Sequence, residues 1–280
     1  MNTIPSISVL LCVYNGEDWL SESLRSILNQ TFVDFELIVV SDGSTDNTNH
    51  IINEFSSADG RVKPFFKANT GLADSLNVGL NNANAQVIAR LDADDLSHPR
   101  RLELQFDYFN QHKQVVLLGS WNSWIDSYGR VIGVARYPNN CKQLLNNLLT
   151  SKAFFVHSSV MFDRQLALEL GGYRSCLTRC EDHDLWLRMS LYGNISCLPI
   201  NLAYYRLHQT NISNLNGGSV AFEEKIAAVV AYFIYSSGYG DPLATLQNDK
   251  FIAWVASKVS ASGMLKNLHM RCNLQSCRHG

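Results

Sequence analysis

Residues 7–14, ISVLLCVY, form a short and nearly continuous apolar run, the pattern of a strand buried on both faces. In the following GEDWLSESLRSILNQ the period changes: Trp19, Leu20, Leu24, Ile27 and Leu28 recur at helical spacing. FELIVVS (35–41) reads as a second strand. DGSTDNT is a turn in which Ser44 or Thr45 is expected to cap the helix DNTNHIINEFSS. RVKPFF is a short strand, GLADSLNVGLNNA a helix and QVIARLD a fourth strand. This alternation predicts an α/β domain with a mixed or parallel sheet and helices on both faces.

The middle of the chain is less regular. QVVLLGSW (114–121), RVIGVARY (130–137) and SSVMFD (158–163) read as strands, with a helix RQLALELGG after the last. DHDLWLRMSLYG (182–193) reads as a helix with Leu185, Met189 and Tyr192 on one side, and CLPINLAYYRLH as a returning strand. No internal repeat is present. NLNGGS near residue 215 is read as a linker to further helical segments. No Asp or Glu follows Asp249, while Lys250, Lys258, Lys266, Arg271 and Arg278 do. Two readings of that basic tail stand: a solvated helix face, or peripheral contact with an anionic membrane surface or a partner.

Composition narrows the class. The chain has 280 residues, 46% hydrophobic and 17% charged, with a net charge of −2, enough for one large domain or a domain with an appendage. No overall basic balance calls for nucleic acid. No stretch approaches the roughly 20 apolar residues that cross a bilayer. The first residues lack the basic flank of a signal peptide, so a cytoplasmic location is expected. The seven cysteines are odd in number and include no C-x-x-C pair, which argues against a disulfide framework or a structural zinc site. Cys12, inside an apolar strand, reads as a small core residue.

The candidate chemistry lies where strands end. ARLDADDLSHPR sets Asp92, Asp94 and Asp95 within four positions after an apolar run. Carboxylates this close resist ionising together unless a cation or donors sit among them. Mg²⁺ and Mn²⁺ take such hard oxygen ligands; the alternative is a polar turn before the helix at Pro99. Asp42 also follows a strand, and in open α/β sheets ligands gather at the carboxyl ends of strands. No G-x-G-x-x-G follows the first strand, which removes the main support for a nicotinamide enzyme. CVYNGED stands where a nucleotidyltransferase is expected to carry a Gly-rich, Arg-containing loop.

Taken in order, SVLLCVYNGEDWLSESLRSILNQTFVDFELIVVSDGSTDNT, NTGLADSLNVGL, IARLDADDLSHPRRLELQ, HSSVMFDRQLALELGGYR, EDHDLWLRMSLYG and YRLH resemble a family 2 glycosyltransferase of the bacterial surface-polysaccharide type (O-antigen or capsule). The resemblance covers about residues 5 to 210. It implies a GT-A fold over residues 1–215, a mixed, mostly parallel sheet flanked by helices, with a helical C-terminal extension over 216–280. It also implies an inverting transfer from a nucleotide-sugar donor, UDP-sugar first and dTDP-sugar next, with Mn²⁺ or Mg²⁺ as cofactor. The implied acceptor is a saccharide or lipid-linked oligosaccharide at the inner face of the membrane.

The same resemblance implies site roles. Asp94 is the metal ligand, with Asp92 near the ribose or metal and Asp95 beginning the turn. Asp42 recognises the base, accepting from the uracil or thymine N3–H; Ser41 stands where the family often has a second acid. Tyr14 and Glu17 belong to the loop over the nucleotide, where Cys12 replaces the usual Pro. Asp182 is the general base, in preference to Glu181 and Asp184, and Glu181 helps position the acceptor. Arg206 and His208 approach the diphosphate or metal. His157 matches a family position without a role. Trp186 and Met189 are expected in the core, and Arg90, Arg100 and Arg101 in salt bridges or at the surface. The alternative, a catalytically inactive nucleotide-sugar-binding protein, sits poorly with Asp42, Asp94 and Asp182 being present together.

Overall fold

The structure, a computed structural model, describes residues 4–150, 152, 154–209 and 218–236. The basic tail, Cys272 and Cys277 lie outside the described residues. The strands are β1 Ile7–Val13, β2 Phe35–Asp42, β3 Val62–Lys67, β4 Val87–Asp92, β5 Leu96–Ser97, β6 Val115–Ile125, β7 Val131–Ala135, β8 Met161–Asp163 and β9 Asn194–Arg206. The helices are α1 Leu20–Leu28, α2 Thr48–Ala58, α3 Leu72–Asn82, α4 Arg101–Gln111, α5 Cys141–Leu149, α6 Arg164–Glu169, α7 Glu181–Met189 and α8 Gly218–Ser236.

One mixed sheet runs β3-β2-β1-β4-β8-β6-β9-β5, with β7 hairpinned on β6. It is parallel from β3 through β4 and between β6 and β9, and antiparallel on both sides of β8. The unbroken apolar run of β1 follows from its central place. Val9 and Leu11 pack with Leu20 and Leu24 of α1, Ile52 of α2 and Leu102 of α4. Leu10 and Cys12 pack on the other face with Leu76 and Leu80 of α3 and Trp186 of α7. With both faces covered, no polar alternation is tolerated there.

Register sets the site. Cys12 of β1 lies between Val40 of β2 and Asp92 of β4, so Asp42 and Asp92 emerge at the same sheet edge on either side of the β1 end. α8 packs on the segment before α7, with Ile226, Ala227 and Ala231 against Leu177 and Cys180. Its Ala228, Val229 and Tyr232 join the core cluster of Trp186 and Leu187.

Several sequence expectations need correction. α2 begins at Thr48, where the Asp46 carboxylate accepts the Thr48 N–H; neither Ser44 nor Thr45 caps it. Ser44 Oγ instead accepts the Asn15 N–H, and the Thr45 N–H goes to Asn15 Oδ1. The strand expected over 158–163 begins at Met161, after a 3₁₀ turn His157–Ser159. α7 stops at Met189, leaving Tyr192 exposed while Leu185 and Met189 are fully buried. The helix α5 and the two-residue strand β5 are additional to the elements read from the sequence.

Candidate active site

At the end of β2, the buried Asp42 carboxylate accepts the N–H groups of Thr70 (3.0 Å) and Gly71 (2.9 Å), the residues that open α3, and the Lys67 ammonium from the end of β3. Gly71, the residue before α3, has φ 101°, a conformation that glycine adopts without a Cβ penalty. Burial alone pushes the Asp42 carboxyl up; the Lys67 ammonium and the two amides outweigh it and hold it below its ordinary value. Lys67 also donates to Thr70 Oγ1 at 2.6 Å.

The loop after β1 is clamped onto the loop after β2. Asn15 sits at φ 50°, and the Gly16 N–H donates to Thr48 Oγ1 at 2.8 Å. Glu17 accepts the Asn47 N–H at 2.9 Å, while its own N–H donates to Asp46. Glu17 therefore supports the start of α2, and Tyr14 beside it presents an exposed ring at the sheet edge.

At the end of β4, Asp92 pairs with the Arg90 guanidinium and accepts from Ser158 Oγ at 2.8 Å. Arg90 is fully buried, and so is Arg101, which donates to Gln105, Ser97 and the Arg90 and Val160 carbonyls. Arg101 is thus buried on neutral acceptors, Arg100 is exposed and pairs with Glu103, and Arg90 meets the salt-bridge expectation through Asp92. The reason is strand geometry: residues 90 and 92 share one face of β4, so the cation follows the acid inward. Burial raises the Asp92 carboxyl, and the Arg90 guanidinium and the Ser158 hydroxyl bring it below its ordinary value.

Asp94 and His208 meet, Oδ2 to Nε2, at 2.8 Å, although they are far apart in sequence. The His208 ring lies 4.1 Å, centre to centre, from that of Trp19. Burial, then the nearby Asp92, pushes the Asp94 carboxyl above its ordinary value. Asp95 is fully buried and accepts the Arg206 N–H at 2.8 Å, so it is a strut rather than the start of a solvated turn. The Arg206 side chain points into the protein: Nε donates to the Asp94 carbonyl (2.8 Å), and further bonds go to Glu22 (2.7 Å) and the Ser127 carbonyl (3.2 Å). It grips the main chain of the acidic loop.

The acids of α7 face this edge. Glu181 is buried, and burial followed by the Asp182 charge pushes its carboxyl up to about 8. Burial also raises Asp182, whose Oδ1 accepts the His183 N–H at 2.6 Å, and both acids feel the charges of Asp92 and Arg90. Asp184 is different: it holds Arg174 and Arg188, each at 2.6 Å, inside the protein. His157 lies below, its Nε2 3.1 Å from the Tyr173 hydroxyl and its ring edge-on to Trp186. Burial, then Arg90, lowers it to about 3, so it is neutral.

A metal can be tested against these groups. Oδ2 of Asp94 and Nε2 of His208 have the spacing of two ligands sharing one cation, and a cation would relieve the repulsion that lifts Asp94. Among the described residues no three His, Cys, Asp or Glu side chains gather as a metal cluster. The pair fits a hard divalent cation that takes its other ligands from outside the protein.

Against known proteins, the model of Glycosyl transferase family 2 matches residues 8–171, more than half of the chain. The chain belongs to this family. Among its relatives is the O-antigen biosynthesis glycosyltransferase WbnJ of Escherichia coli, 33% identical over 215 residues that span 74% of this chain and 82% of WbnJ. Among solved structures, S. aureus TarS 1–349 in complex with UDP-GlcNAc superposes with a TM-score of 0.69 at 19% identity, covering 92% of this chain and 75% of that one. The mannosyltransferase PcManGT from Pyrobaculum calidifontis, in complex with GDP-Man and Mn²⁺, gives 0.61 at 18%, covering 96% and 80%. The fold is that of the GT-A glycosyltransferases.

In this family 2 glycosyltransferase the structure adds residues that the sequence left unmarked. Lys67 stands on Asp42, Ser158 on Asp92, and Tyr173 on His157. None of the three carried a local signal, since each partner lies in another element. The described residues contain no helix long and apolar enough to cross a membrane.

Proposed function

We propose that this chain is an inverting, metal-dependent glycosyltransferase that moves a sugar from a UDP-sugar to a hydroxyl of a saccharide or lipid-linked oligosaccharide. Surface-polysaccharide synthesis is the context, a reading supported by the likeness to WbnJ. The observation that carries the reading is the meeting of Asp94 and His208 at the sheet edge that Asp182 faces. Asp94 and His208 would hold a divalent cation, Mn²⁺ or Mg²⁺, which when bound would supply positive charge to the diphosphate leaving group.

The donor base is read at Asp42. Oδ1 is taken by Lys67 and the Thr70 N–H, Oδ2 accepts the Gly71 N–H, and the Ser75 hydroxyl also bears on the carboxylate. Lys67 spends its three N–H donors on Asp42, Thr70 and Ser75, so the carboxylate alone faces the base, through Oδ2. That single acceptor suits the one N3–H of uracil or thymine. The guanine edge, with two neighbouring donors, finds only one acceptor. Tyr14 lies over the base, and the Glu17 loop braces that cover.

Asp182 takes the proton of the acceptor hydroxyl as its oxygen bonds the anomeric carbon and the bond to the diphosphate oxygen breaks. Glu181, protonated at neutral pH, donates a hydrogen bond to the acceptor and keeps a second negative charge out of the pocket. Asp92 fixes the ribose side of the donor from its seat on Arg90 and Ser158. The test is a pair of variants. Asp182→Asn is expected to keep donor binding and lose transfer, and Asp94→Ala to lose the Mn²⁺ dependence of UDP binding. Near-normal turnover in the first, or an unchanged Mn²⁺ response in the second, removes the corresponding role.

A further inference from the structure

The segment that delivers Asp182 to the site is held by a helix from the far end of the chain. Glu224 of α8 is buried, although a carboxylate rarely goes inside unless its oxygens are met. Here they are met three times. Oε1 accepts the Thr178 N–H (3.0 Å) and the Thr178 hydroxyl (2.9 Å), and Oε2 accepts the Arg179 N–H (2.8 Å). These two residues are separated from Glu181 and Asp182 only by Cys180, which is itself buried against α8. The backbone before α7 therefore has its donors fixed by α8 rather than by its own helix. Lys225, next along α8, bears on the same place, since its charge favours the ionised form of Asp182.

We propose that α8 is a working part of the transfer site and that Glu224 is the positioning residue that sets where Asp182 stands. This rests on the reading of Asp182 as the general base. A retaining carboxylate at 224 fixes the loop 177–180, the loop fixes the first turn of α7, and the first turn aims both acids at the sheet edge. Glu224 touches no reacting atom, so its loss acts on the chemical step and leaves the nucleotide site alone. The α2, α3 and β4 ends that form the nucleotide site have no part in this anchor.

The full-length protein and its Glu224→Ala and Glu224→Gln variants are compared by hydrogen exchange, calorimetric UDP binding with Mn²⁺, and UDP release from UDP-N-acetylglucosamine in the presence of Mn²⁺. In Glu224→Ala, amides 176–184 are expected to exchange about tenfold faster while peptides from β1, β2 and β4 hold their rates. UDP affinity is expected to stay within about twofold, and kcat to fall at least about tenfold at unchanged donor KM, since small displacements of a reacting group are costly. Glu224→Gln keeps one acceptor oxygen but turns an amide NH₂ toward a backbone N–H, so it is expected to fall between the two. In an Asp182→Asn background, Glu224→Ala should cost little more, because the two act through one group. Unchanged exchange at 176–184, or equal losses in donor affinity and kcat, overturns the proposal. An Asp182→Asn enzyme with normal turnover instead removes the base assignment, and the exchange measurement still judges the anchor.

Discussion

Two acids of one motif, Asp92 and Asp94, are predicted to answer the same substitution in opposite ways. Asp92 neutralises Arg90, a cation with no exposed surface, and removing one member of a fully buried ion pair costs about 3–5 kcal/mol. The Asp92 side chain keeps 29% of its surface in water, and the amide of Asn retains a bond to Ser158, so Asp92→Asn is expected to cost about 2–3 kcal/mol. For a chain of this size that lowers Tm by roughly 4–12 °C. Asp94 is held above its ordinary value by burial and by Asp92, so Asn removes a repulsion while keeping a hydrogen bond to His208. Asp94→Asn should shift stability by less than about 1 kcal/mol. The assay is urea unfolding of both variants beside Mn²⁺ titration in the presence of UDP. Asp92→Asn should unfold early; Asp94→Asn should unfold normally and lose the Mn²⁺ response. Equal stability losses would refute the division of labour between the two carboxylates.

Other consequences are open to measurement. The Glu181 carboxyl is raised to about 8, so the folded state binds its proton more tightly than the unfolded chain does; stability should fall as pH rises from about 4.5 toward 8. Glu181→Gln should flatten that part of the unfolding profile, and an unchanged slope would mean that the charge is not held there. Gly172 has φ 68°, and a Cβ placed on it would lie 2.4 Å from Asn77 Oδ1, the atom that accepts the Tyr173 N–H. Gly172→Ala is expected to cost about 2 kcal/mol by chemical unfolding, and a neutral result would show that the turn can move. Asp184→Asn leaves Arg174 and Arg188 without their shared buried partner and should destabilise by about 3 kcal/mol, seen as a lower urea midpoint.

What could be read in the sequence was what local periodicity encodes. β1, β2 and β4 announced themselves because strands covered on both faces are largely apolar, their buried Ser8, Glu36 and Arg90 being paired exceptions, and Asp42 and Asp92 stood out because they end those runs. Trp186 and Met189 were placed in the core on helical spacing, and both are buried. The failures share a cause: each depends on a partner distant in the chain. Ser44 and Thr45 had the chemistry of caps, but Asn15 from the neighbouring loop claims them. Arg101, expected in a salt bridge or at the surface, is instead buried on the Arg90 and Val160 carbonyls, acceptors outside its own helix. The hold of Arg206 on the Asp94 carbonyl and on Glu22 was likewise hidden, since both lie more than a hundred residues away. The Asp94–His208 contact joins the two motifs expected to share a ligand, though their distance could not be computed from either.

The most direct test of the account is calorimetric binding of UDP and GDP, each with and without Mn²⁺, to the full-length protein. UDP should bind tightly, Mn²⁺ should strengthen it, and GDP should be weaker because Lys67 occupies one oxygen of Asp42. Binding of GDP as tight as that of UDP, or UDP binding indifferent to Mn²⁺, would contradict the assignment of the base and metal sites.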